Sequence, residues 1–260
     1  EEAVSDMLSG TEWPLELSLV SVEPSSGHVR AFVGGRDFEQ SQVNLALGGS
    51  TGMQPGSVFK VFTAAKALED GMGPETAYDS PGTLYVPGCG GQCAIRGGPG
   101  GDVTMDAAMA ASTNTYFAQL IMDVGPNNVA ELAHRVGVTR TPPDRDYNLG
   151  LTLGVNEVSP LDMAAGFSVF ANQGVRADAT PINWIDQMDG TTLEDNRGPR
   201  GEPVLHPAVA DNLTAMLTGV VDSGTGRSAA IGRPAAGKTG TAERNQAAWF
   251  VGYTPQLSTA

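Results

Sequence analysis

What most constrains this 260-residue chain is where its two hydrophobic periodicities fall. Period-two alternation, the mark of a half-buried strand, is confined to the ends. Residues 14–23 carry Leu15, Leu17 and Leu19 on one face, and residues 28–34 repeat the pattern with Val29, Ala31 and Val33. Pro24-Ser25-Ser26-Gly27 between them supplies turn residues, so the segment reads as a hairpin. Residues 236–243 and 248–253 read as two more strands. The interior is spaced for helices. Strands at both ends with helices between them specify an α+β fold, with a mostly antiparallel sheet assembled from the two chain ends and helices packed on it.

The helical segments have recognisable starts and stops. Residues 57–70 place Val58, Val61, Phe62, Ala65 and Leu68 on an apolar stripe, ended by Gly71. Residues 106–111 and 114–123 read as two helices with a polar break between them. Asn128 and Glu131 have the spacing of a capping box for a helix that stops at Gly137. Ser159-Pro160 opens a helix through Ala171, proline suiting its first position. Residues 175–206 are turn-rich with short strands, and 208–221 form a last helix.

Composition excludes several functions. A formal net charge of −14 offers no basic stripe for phosphates, which argues against nucleic acid as a partner. With 40% apolar and 17% charged residues the chain is not a disordered one. It opens EEAVSDMLSG, without a signal-peptide pattern, as expected of a mature protein or an excised domain. The longest uncharged central stretch is too short and polar to span a bilayer. Cys89 and Cys93 lie in a Gly-rich loop, where such spacing permits a small disulfide ring in an oxidising compartment. Two such ligands are too few for zinc, and His28, His134 and His206 are scattered.

Chemistry concentrates in three short motifs: Ser57-Val58-Phe59-Lys60, Ser112-Thr113-Asn114 and Lys238-Thr239-Gly240. S-x-x-K alone would arise by chance about once in a chain this long. The order of the three, with the first at a helix start and the third on a strand, is much more specific. A serine hydroxyl needs a base to become a nucleophile. Positions i and i+3 share a helix face, so Lys60 can serve Ser57, provided that burial and a second cation, Lys238, bring its pKa down. A helix N-terminus also favours the oxyanion of a tetrahedral intermediate. For Ser112 and Asn114 an ordinary helix-cap role stands beside proton relay and substrate holding. For the strand carrying Lys238, protection of a sheet edge stands beside pairing with an extended peptide, where Gly240 would allow close approach.

With these motifs on it, the chain resembles the transpeptidase domain of penicillin-binding proteins, most like the bifunctional class A kind. LSLVSVEPSSGHVRAFVGGRDF is similar to that family's opening hairpin, MQPGSVFKVFTAAKALEDG to its nucleophile helix, EVSPLDMAAGFSVFANQG to the helix after the second motif, and LTGVVDSGTGRSA followed by AAGKTGTAERNQAAWFVGYTP to the approach to, and body of, its cleft-lining strands. The resemblance implies that residues 1–260 are one transpeptidase domain, without the glycosyltransferase domain and membrane anchor of class A proteins, and with the last strand and closing helix cut short at Ala260. It implies Ser57 as the acylated nucleophile, Lys60 as its base, and Ser112 and Lys238 as the proton relay. Asn114, Thr239, Gly240 and Thr241 would bind the donor, with the backbone N–H groups of Ser57 and Thr241 as oxyanion hole. The implied partners are peptidoglycan stem peptides ending in D-Ala-D-Ala and β-lactam antibiotics, met outside the cytoplasm, and no metal or organic cofactor is implied.

Thr113, where class A β-lactamases carry Asp, favours the transpeptidase pattern. A β-lactamase would also need a base for a deacylating water. Glu131 and Glu157 lie in the right stretch but read as structural, one at a helix cap and one before a helix start. A D,D-carboxypeptidase, with water as acceptor, and a non-catalytic sensor on the same fold are the remaining alternatives.

Overall fold

The computed structural model describes residues 2–86, 93–242 and 246–260. Its helices are α1 (Glu2–Leu8), α2 (Lys60–Glu69), α3 (Met105–Ala111), α4 (Asn114–Val124), α5 (Pro126–Arg135), α6 (Pro160–Ala171) and α7 (Pro207–Asp222). The strands are β1 (Leu19–Val22), β2 (Val29–Val33), β3 (Ala77–Asp79), β4 (Thr83–Val86), β5 (Cys93–Arg96), β6 (Asp102–Thr104), β7 (Val175–Arg176), β8 (Trp184–Asp186), β9 (Thr192–Asp195), β10 (Glu202–Pro203), β11 (Ala236–Thr241), β12 (Ala248–Tyr253) and β13 (Ser258–Thr259).

The main sheet has five strands in the order β11-β12-β13-β1-β2, every pairing antiparallel. Both chain ends contribute, as the periodicity requires. The seam is β13, a two-residue strand that pairs Ser258 with Tyr253 on one side and Thr259 with Ser21 on the other. The remaining strands form separate two-stranded ribbons.

The N-terminal strand differs from its sequence pattern. Pairing begins only at Leu19, Leu15 is exposed, and the buried side chains are Val20 and Val22, on the opposite face to the leucines. Pro14 lacks an N–H for a ladder, and burying β-branched valines against α6 outweighs the leucine alternation. β2 keeps its expected phase, with Arg30 and Phe32 outward.

α2 is the centre of the molecule. All its residues except Lys66 and Glu69 are buried, so the five-residue stripe understates its environment. A helix enclosed on all sides needs apolar or satisfied groups all round. Thr63 meets this by donating to Thr152 Oγ1 at 2.8 Å. Phe62 packs on Phe167 of α6 with ring centroids 5.9 Å apart, and Phe167 on Tyr253 of β12 at 6.3 Å, tying the central helix to the sheet. The start of α6 is a full capping box, Ser159 with Asp162, and Asp162 also accepts from the Thr139 hydroxyl at 2.7 Å.

Two expected helix starts move. The segment from Ser57 opens as a 3₁₀ turn, Gly56–Phe59, before α2 begins at Lys60. α5 starts at Pro126 after Gly125, with no capping box at Asn128. Asn128 Nδ2 instead donates to Val124 O at 2.7 Å, because proline at N1 already sets the helix two residues earlier.

Candidate active site

The site forms where α2, the α3–α4 junction and β11 meet. Each element reaches it for a local reason. Ser112 ends α3 in the left-handed conformation at φ 58°, unusual for a residue with a Cβ. That reversal turns the chain so that Asn114 begins α4 at once. β11 is an edge strand, and its lysine side chain reaches Ser112 over a short distance.

Lys60 is fully buried, and its three N–H groups meet three acceptors: Ser112 O at 2.6 Å, Asn114 Oδ1 at 2.6 Å and Ser112 Oγ at 3.2 Å. Lys238, also fully buried, donates to the same Ser112 Oγ at 2.9 Å and to Thr239 O at 3.2 Å. Neither lysine has a carboxylate partner among the described residues. Burial, and secondarily the Lys238 charge, holds Lys60 well below the ordinary lysine value, because both disfavour the ammonium form. Burial brings Lys238 to about 7. The face of Phe117, 5.6 Å from Lys60 Nζ, is the one aromatic surface turned to that ammonium among the described residues.

Asn114 is held at both ends of its amide. Its Oδ1 serves Lys60, and its Nδ2 donates to Arg96 O of β5 at 3.0 Å. One amide N–H remains for a ligand. Thr239 Oγ1 lies 2.7 Å from Thr225 Oγ1, in the loop after α7.

Ser57 sits on the 3₁₀ turn that leads into α2, one turn before Lys60. Its hydroxyl has no hydrogen-bond partner among the described residues. The turn is pressed directly onto β11. A Cβ on Gly56, which has φ +55°, would fall 2.2 Å from Thr241 O, and one on Gly240 would fall 2.2 Å from Pro55 O. Gly154 seals the other side, its Cβ position 2.2 Å from Gly56 O. Only glycine permits these approaches. Gly56, Gly154 and Thr225 escaped the motif reading, because a glycine or threonine in a Gly-rich chain carries no signal until its neighbour is known.

The structure thus brings Lys60, Ser112, Asn114 and Lys238 together by direct contact, leaves the Thr239 hydroxyl on Thr225, and sets Ser57 beside Gly240 and Thr241 through the flanking turn. Glu131 and Glu157 are both exposed, and neither bonds to these residues. Cys89 lies outside the described residues, so the expected Cys89–Cys93 pairing is carried forward as a proposal.

The family model for the penicillin binding protein transpeptidase domain matches residues 17–259. Penicillin-binding protein 1A of Mycolicibacterium smegmatis is 33% identical over all of the chain, and that of Neisseria cinerea is 35% identical over 95% of it. The chain spans about a third of the length of these curated relatives, 34% and 32%. The solved structure of the penicillin-binding protein PonA1 from Mycobacterium tuberculosis superposes with a TM-score of 0.86 at 31% identity, covering 99% of this chain and 70% of that one. The same protein has been solved in complex with penicillin V, and that structure matches with a TM-score of 0.82. The α+β architecture is therefore the penicillin-binding fold, and the chain belongs to the penicillin-binding protein transpeptidase domain family.

Proposed function

We propose that this domain is a serine D,D-transpeptidase that cross-links peptidoglycan stem peptides ending in D-Ala-D-Ala, and that β-lactams acylate it. The observation that carries the reading is the convergence of two buried lysines, with no carboxylate partner among the described residues, on the Ser112 hydroxyl. A structural lysine would be paired or solvated. Burial beside a second cation instead favours an uncharged amine, which is what a base requires.

In this reading Ser57 Oγ attacks the penultimate D-Ala carbonyl carbon and its proton passes to Lys60. A neutral Lys60 keeps its two short bonds, to Ser112 O and Asn114 Oδ1, so the position freed is the longer one at Ser112 Oγ. Ser112 then turns from acceptor to donor, and the proton travels through it to the departing D-Ala nitrogen as the C–N bond breaks. Lys238 holds Ser112 in line for that transfer. The amine of a second stem attacks the acyl-enzyme, returns a proton along the same route and releases Ser57. The N–H groups of Ser57 and Thr241 take the oxyanion, Asn114 and Gly240 hold the donor backbone, and Thr239 and Thr241 hold its terminal carboxylate. No step calls for a cofactor.

Residues 1–260 are read as one transpeptidase domain working outside the cytoplasm in a larger, membrane-anchored protein. A Cys89–Cys93 bridge fits that compartment, and an intact mass unchanged by reduction would refute it. The test of function is labelling with fluorescent penicillin, with Ser57→Ala as control. The expected result is a long-lived adduct on the wild type and none on the variant. D-Ala release that rises with an added amine acceptor identifies a transpeptidase, and release indifferent to the amine identifies a carboxypeptidase. Rapid turnover of a chromogenic cephalosporin would refute both in favour of a β-lactamase.

A further inference from the structure

We propose that Thr225, outside the three motifs, orients the Thr239 hydroxyl toward an anionic ligand end, making it a positioning residue that sets the preference for a free carboxylate. The proposal rests on the acylation reading above and assigns one more residue to its carboxylate end.

Thr225 Oγ1 and Thr239 Oγ1 stand 2.7 Å apart, and this pair is open to solvent. Two hydroxyls in contact share one proton and leave the other free. A carboxylate has no proton to give, so it can be received at Thr239 only if that O–H points outward. Thr225 must then donate to Thr239. In such a chain the inner hydroxyl polarises the outer one. A neutral carboxamide end, which can itself donate, does not require that direction.

Thr225 is placed for this by its backbone. Its N–H donates to Ala110 O at 3.1 Å, two residues before Ser112. Gly224 lies flat against the same carbonyl, where an added Cβ would come within 2.4 Å of Ala110 O. The N–H groups of Ser223 and Gly224 both donate to Gly219 O at 3.1 Å, and that of Gly226 donates to Val220 O at 3.0 Å, which closes the end of α7. The hydroxyl therefore extends from a fixed support that joins the segment bearing Ser112 to the strand bearing Lys238. Lys238 Nζ donates to the backbone O of Thr239 at 3.2 Å, which fixes the stretch of β11 that carries the outer hydroxyl.

The experiment compares the chain with Thr225→Val, Thr225→Ala and Thr225→Ser. It measures acylation rate constants for penicillin and for two thioester donors differing only in a terminal carboxylate or carboxamide. Thr225→Val and Thr225→Ala are expected to slow penicillin and the carboxylate donor about fivefold, the loss expected for one hydrogen bond between neutral groups. The carboxamide donor should change less than about twofold, Thr225→Ser should restore the carboxylate rate, and the exposed position should leave the Tm nearly unchanged. Equal losses on both donors, or no loss on either, would overturn the proposal. Absence of wild-type labelling, or labelling that survives Ser57→Ala, would instead overturn the acylation reading, and this inference with it.

Discussion

Asn114 Oδ1 accepts from Lys60 Nζ at 2.6 Å, so the second motif supplies the first motif's lysine with a neutral partner where a charged one would fit. The choice of amide over carboxylate decides whether that lysine can lose its proton. Asn114→Asp would place a negative charge beside the ammonium and raise its pKa. Acylation by penicillin at neutral pH should fall at least about a hundredfold, as expected when a general base is withdrawn. The acid limb of the pH–rate profile should move to higher pH, and the Tm should rise.

Lys238 acts on Lys60 through charge as well as through Ser112. Removing a like charge raises a lysine pKa, so Lys238→Gln should also shift the acid limb of acylation upward, whatever rate remains. Stability should change with the opposite apparent logic. A lysine at about 7 in the folded state and near its ordinary value unfolded imposes a cost that is absent above that ordinary value, grows as pH falls and levels off below about 7. Lys238→Met should therefore be more stable than the wild type at neutral pH, by about 1–2 kcal/mol. The difference should shrink as denaturant unfolding is repeated toward pH 10.

Ser112 combines a backbone cost with the relay role proposed for it. At φ 58° a residue with a Cβ is strained. Ser112→Gly should thus be about 1 kcal/mol more stable than Ser112→Ala. Both should lose acylation about equally, at least a hundredfold, because both lack the hydroxyl between the lysines. Stability and activity measured on the same pair separate the two contributions.

Two glycine-to-alanine changes should have opposite signs. At Gly240 the new Cβ meets Pro55 O and the Val58 side chain, driving the Ser57 turn off β11. Overpacking costs about 1–3 kcal/mol, and acylation should fall at least tenfold with it. At Gly219, inside α7, nothing stands within 4 Å of the new Cβ. Gly219→Ala should stabilise by about 0.5–1 kcal/mol with labelling by penicillin unchanged.

Much of this was readable without coordinates where the deciding interaction is local. The Ser159 cap with proline at the first helical position, the break between α3 and α4, and the hairpin phase of β2 each depend on residues a few positions apart. Leu15 and Asn128 show the limit. Both obey a local pattern, and both are overruled, one by valines buried against α6 and the other by the proline start of α5.

The order and chemistry of the three motifs belong to the sequence alone, because residue identity and i, i+3 spacing are properties of one dimension. Their assembly belongs to the tertiary structure. Lys60 reaches Ser112 across 52 residues, and Lys238 reaches it across 126. The depression of both lysine pKa values exists only once the chain has closed around them and excluded water. The same holds for Gly56, Gly154 and Thr225, whose importance lies in the atoms they approach, and no local pattern encodes those atoms.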